Sequence, residues 1–116
     1  MLPDRVVFKY LLPPPGNFVT LHLPASYEVV HAGEQDGRVH MWMLVDPREV
    51  VQSSVEFIVV GTGWNQIKPW WFHIQTVCMS DGMVWHVFQI DNNYRKAIED
   101  EENNARVVCR NCGCKD

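Results

Sequence analysis

Short apolar runs interrupted by turn residues dominate this chain, and two of the interruptions are Asp-Gly pairs, Asp36-Gly37 and Asp81-Gly82. A two-residue type I′ turn needs positive φ at both central positions. Asp-Gly supplies it at small steric cost, so each pair predicts a β-hairpin. Around Asp36-Gly37 the two-residue register sets His31 opposite Trp42 and Val29 opposite Leu44 on one face, with Val30 opposite Met43 on the other. Around Asp81-Gly82 it sets Cys78 opposite Trp85 and Thr76 opposite Val87, with Val77 opposite His86 and Gln75 opposite Phe88 on the reverse face. Both faces of both hairpins carry apolar groups. A sheet wetted on one side would alternate cleanly, so these strands are expected between two layers, in a closed barrel or at a subunit interface.

The other runs keep the same rhythm. Val6–Leu11 is followed by a Pro13-Pro14-Pro15-Gly16 turn, then Phe18–Leu23 broken by Pro24, and later the β-branched Val55–Val60. About seven strands with turns every 8 to 12 residues or so predict an all-β, mostly antiparallel fold, a small sandwich or partly closed barrel. A length of 116 residues suits one domain. Composition turns polar after Ile90, so residues 1–90 are read as the β domain and 91–116 as a short helix or tail, with Asn93 as N-cap and Tyr94, Ile98 and Ala105 roughly on one side. The formal charge of −4 argues against a nucleic-acid partner, which would call for a basic stripe. There is no stretch of transmembrane length and no secretory signal, which makes the cytoplasm the expected location.

Three of the five tryptophans fall in one loop, Gly61-Thr62-Gly63-Trp64-Asn65-Gln66-Ile67-Lys68-Pro69-Trp70-Trp71. So many rings are costly to leave in water. Either Trp64, Trp70 and Trp71 cover the open end of the fold, or they present indole faces to a flat ligand or a protein partner, with Asn65, Gln66 and Lys68 supplying polar contacts. On the first hairpin, His31 and His40 share a face with Trp42, a second candidate surface. The five histidines have no metal-ligand spacing along any one strand. The chain has no nucleophile elbow and no paired carboxylates, and Gly61-Thr62-Gly63 lacks the lysine of a phosphate loop, so a non-enzymatic role is expected. The Cys109-x-x-Cys112-Gly-Cys114 run is only half a zinc site, and with no fourth ligand nearby it reads first as a reduced, exposed cysteine cluster on the tail; zinc would need a ligand from elsewhere, a disulfide is disfavoured in the cytoplasm, and no other cofactor is implied. Cys78, inside a strand, is expected to be a small buried hydrophobe.

The order of Phe8–Leu11, Phe18–Pro24, Gly37–Asp46, Phe57–Gly63 and Val84–Phe88 resembles a family of small β-rich proteins of tailed bacteriophages, over roughly residues 6 to 90. The resemblance implies an accessory protein made inside the infected bacterial cell. Such a protein would bind and inhibit a host or antiphage-defence protein through its aromatic surface. It could instead sequester a nucleotide-type signal, with Lys68 or Arg38 on phosphate, or serve as a virion structural protein. A homo-oligomer would fit any of these.

Overall fold

The structure, a computed structural model, describes the backbone of residues 4–112 and side chains up to residue 102. Seven strands, β1 (Val6–Leu11), β2 (Phe18–Pro24), β3 (Glu28–Gln35), β4 (Arg38–Val45), β5 (Gln52–Gly61), β6 (Trp71–Cys78) and β7 (Val84–Ile90), precede one helix, α1 (Asn92–Cys112). All strand pairs are antiparallel. They form a three-stranded sheet of order β1-β4-β3 and a four-stranded sheet of order β2-β5-β7-β6. The all-β expectation of about seven strands holds. The sheets remain open and form a sandwich rather than a closed barrel. No helix among the described residues is long and apolar enough to cross a membrane.

The first Asp-Gly pair turns as its chemistry dictates, with φ of 54° at Asp36 and 75° at Gly37, so Gln35 pairs with Arg38 and His31 with Trp42. Beyond His31 the predicted register fails. A β-bulge lies between Val29 and His31, so Val29 faces Met43 and Glu28 faces Leu44. Val30, the extra residue, is exposed. Around the second pair the register is displaced along its whole length. Only Gly82 has positive φ there, the Gly82 N–H donates to the Met79 carbonyl at 3.0 Å, and the Met79 N–H to the Met83 carbonyl at 2.8 Å. This is a three-residue loop, a tight turn followed by a left-handed glycine. It moves Cys78 opposite Val84, Val77 opposite Trp85 and Thr76 opposite His86, and a bulge between His73 and Gln75 shifts the rest again. Cys78 is therefore exposed at the sheet edge, not buried.

Odd-numbered residues of β4, β5 and β7 face inward. Met41, Met43, Val45, Phe57, Val59 and Val87 are all fully buried and, with Leu23, form the centre of the core. The two sheets are stitched along one side, where β3 meets β6. The Gln75 side chain accepts the Ala32 N–H at 2.7 Å and faces His31 Nδ1 at 3.3 Å. The Glu34 carboxylate accepts from the Ser80 N–H and hydroxyl at 2.8 and 2.9 Å.

Asp91, rather than Asn93, caps α1. Its carboxylate accepts the Tyr94 N–H at 2.9 Å, and its carbonyl accepts the Arg95 N–H at 3.0 Å. Tyr94 then packs on Phe72, with ring centroids 5.7 Å apart.

Candidate functional site

The outer face of the four-stranded sheet carries a second apolar cluster, Ile58, Val60 and Ile90, packed by Trp70, Trp71 and Phe88. Its origin is topological. Strands β5 and β6 both run antiparallel to β7, so they are parallel to each other with β7 between them. The connection must therefore return along the sheet. Gly61 pairs with Trp85 and Trp71 with Ile90, a displacement of five residues along β7, or about 17 Å, plus two strand spacings sideways. Residues 62–70, extended, reach about 30 Å. They fit with slack and lie against the face they cross, which explains why a loop between strands is rich in tryptophan.

The three loop tryptophans divide by role. Trp71 reaches across the face, its ring 5.6 Å from Phe18 in an edge-on arrangement and 6.4 Å from Phe88. Trp70 packs on the Ile90 cluster, accepts the Asp91 N–H on its carbonyl at 2.8 Å, and lies beneath the Arg95 guanidinium at 5.6 Å. Both are half-buried and structural. The expectation that the loop plugs an open end is corrected: Trp70 and Trp71 cover a sheet face. Trp64 differs. It leans over Gly61 and Gly16, where an added Cβ would meet it at 2.7 and 3.3 Å, and still leaves 45% of its surface in water.

Between the loop and the sheet lies a groove of about 340 Å³, lined by Trp64, Gln66, Ile67 and Lys68 on the loop and by Phe18, Ile58, Val60 and Trp71 below. Lys68 makes no salt bridge among the described residues. Of the candidates read from sequence, Trp64, Gln66, Lys68 and Trp71 thus meet at one groove, and Asn65 borders a shallower hollow beside it. Trp70 lies outside the groove lining. Phe18 and Ile58, which complete the groove, were missed because only strand order brings β2 and β5 under the loop.

His31, His40 and Trp42 do share one face, as expected, but on the other sheet. Their ring centroids lie 5.5 and 6.1 Å from Trp42. His40 is buried with Nδ1 3.1 Å from the Arg38 carbonyl, and the His31 ring lies across Gly33. Facing a carbonyl, His40 Nδ1 is the donor of this contact. Arg38 lines a different hollow, of about 440 Å³, at the end of the sandwich, with Leu11, the Pro13–Pro15 turn, Met79 and Trp85.

A polar chain also crosses the outer face of the four-stranded sheet. Thr62 Oγ1 lies 2.8 Å from His86 Nε2, Thr76 Oγ1 3.0 Å from His86 Nδ1, and His73 Nε2 3.0 Å from Thr76 Oγ1. The displaced second register hid it from sequence reasoning. A neutral imidazole has one donor and one acceptor, so the hydroxyls must align head to tail along the chain. Thr62 and His86 have the spacing of a nucleophile and its base, but the second imidazole nitrogen meets a hydroxyl instead of the carboxylate that steadies an imidazolium.

Among the described residues, no cluster of three or more His, Cys, Asp or Glu side chains is placed to hold a metal ion. The side chains of Cys109, Cys112 and Cys114, the sequence candidates for zinc, lie outside the described residues. The chain belongs to the family of the domain of unknown function DUF7352, which matches residues 3–97. No curated protein and no solved structure matches it.

Proposed function

We propose that this DUF7352 domain works by binding, not turnover, and that the loop groove receives an apolar side chain of a protein partner. The observation that carries this reading is a groove walled by the exposed Phe18 ring and the half-exposed indole of Trp64, over a floor of buried Ile58 and Val60. Interface energy concentrates in aromatic residues beside pockets that exclude water. Trp64 is the anchor, and Lys68 meets an acidic or polar flank of the partner. Taken with the motif resemblance, the role is that of a phage accessory protein that inhibits a host or antiphage-defence protein. A nucleotide-sequestering role has less support, because Lys68 and Arg38 line separate hollows and leave one cation in each to hold phosphate.

The test compares Trp64→Ala with Trp71→Ala for retention of partners from host extract, with thermal melting as the fold control. Trp64→Ala is expected to weaken capture about tenfold or more, since an indole at an interface contributes on the order of 1 to 3 kcal/mol, with a smaller fall in melting temperature than Trp71→Ala. Trp71→Ala is expected to melt early. Normal capture by folded Trp64→Ala removes the groove from the reading. Indole quenching by a nucleotide, lost in Lys68→Ala, would favour the nucleotide role instead.

A further inference from the structure

Among the described residues, the side of the sandwich opposite the β3–β6 stitching is open, with β1 and β2 each ending a sheet. On β1 the inward-facing residues pair with buried partners, Val6 with Val45 and Phe8 with Met43, yet Val6 and Phe8 themselves are 39% and 45% exposed. The outward-facing Val7 and Leu11 are exposed too. A bare apolar edge strand is a template for another strand, and proteins usually blunt such an edge with a free lysine, a proline or a bulge. β1 has no proline and no bulge. Its single lysine, Lys9, is drawn back over its own sheet, with Nζ donating to the Gln35 side-chain oxygen at 2.6 Å.

We infer that β1 is the interface of a symmetric homodimer, in which two copies pair their β1 strands antiparallel into one six-stranded sheet. The hydrogen-bond phase selects the register. The Leu12 N–H donates to the Val39 carbonyl, so even-numbered residues of β1 direct their amides to β4 and odd-numbered Val7, Lys9 and Leu11 direct theirs outward. A two-fold axis must then keep inward residues opposite inward ones. Centring it on Lys9 would set two lysines face to face, which is unfavourable across a strand pair. Centring it on Phe8 sets Val7 opposite Lys9 of the second copy in hydrogen-bonded pairs, Val6 opposite Tyr10 of the second copy, and the two Phe8 rings together over the open side of each core. No like charges then meet directly. Six residues of edge cover less than the roughly 800 Å² per partner of a standard complex, so the dimer is concentration-dependent.

Sedimentation equilibrium of the full chain, followed up to about 1 mM, should show a reversible monomer–dimer equilibrium with a Kd in the micromolar range. Val7→Pro deletes an outward N–H that β4 does not use, and should weaken the dimer at least tenfold while leaving the melting temperature nearly unchanged. In a background with the native cysteines replaced by serine, Phe8→Cys should cross-link with itself under mild oxidation, because the register places that position against its own copy, and Val7→Cys should not. A chain that stays monomeric throughout overturns the inference. So does a dimer that persists in Val7→Pro with Phe8→Cys unlinked, which would place the interface elsewhere. If Val7→Pro does not fold, the cross-linking contrast decides alone.

Discussion

Gly61 shows how one missing side chain organises the loop. A Cβ there would meet Trp64 Nε1 at 2.7 Å and Trp85 Cζ3 at 3.1 Å. Trp85 is packed against the core, whereas Trp64 is half in water, so Trp64 is the ring that yields. Gly61→Ala is expected to cost about 1 to 3 kcal/mol and to shift part of the tryptophan emission to the red as Trp64 swings out; unchanged emission would mean that the indole is not held there. Asp46 gives a pH prediction. Its carboxylate accepts the Arg48 N–H at 3.0 Å, which holds its pKa below the usual value of 3.8. A depressed carboxylate pKa stabilises the fold above the unfolded-state pKa, and that contribution disappears as pH falls through the folded-state value. Asp46→Asn should therefore be less stable than the native chain at neutral pH, and the gap should narrow only below about pH 4 in acid titrations followed by circular dichroism. At this scale the sequence was readable where one residue's chemistry decides, as in the shared face of His31, His40 and Trp42. It was silent on Phe18 and Ile58, whose importance depends on which strands become neighbours.

The elements were legible in number and kind, and the errors fell on turns and caps, where one residue resets everything after it. Asp36-Gly37 and Asp81-Gly82 are the same dipeptide in different loops. In the second, Met79 and Met83 close the loop one residue wider, and Asp81 Oδ1 accepts the Met83 N–H at 2.9 Å. The single extra residue moved every pair in the hairpin and concealed the Thr62–His86–Thr76–His73 chain. Gly82 has a φ of 90° with nothing within reach of an added Cβ, so Gly82→Ala carries a conformational cost without a steric one. A loss of about 1 to 2 kcal/mol in denaturant unfolding is expected, with binding at the groove intact. A neutral Gly82→Ala would mean that the loop can relax to another turn type. The crossover between β5 and β6 was the other unreadable element. Nothing in residues 61–71 states that their flanking strands run parallel with a third strand, later in the chain, between them.

At the level of the molecule, the start of α1 is joined to the sandwich by the Asp91 N–H on the Trp70 carbonyl, Tyr94 on Phe72 and Arg95 over Trp70. A chain ending at residue 90 loses all three, and a chain ending at residue 102 keeps them. The shorter chain should melt lower by roughly 5 to 10 °C, the shift expected for about 1 to 2 kcal/mol in a domain of this size. Equal melting temperatures would make the helix a passenger. The order of β2-β5-β7-β6 has one further consequence, for synthesis. While the chain is being translated, β5 and β6 exist with a strand-wide gap between them, and Ile58, Val60 and the loop tryptophans have no finished sheet to lie on. The last of the seven strands is the one that fills the gap: β2 and β5 can pair before it is made, but β6 can join them only once residues 84–90 have cleared the ribosome, so the outer apolar face is completed last.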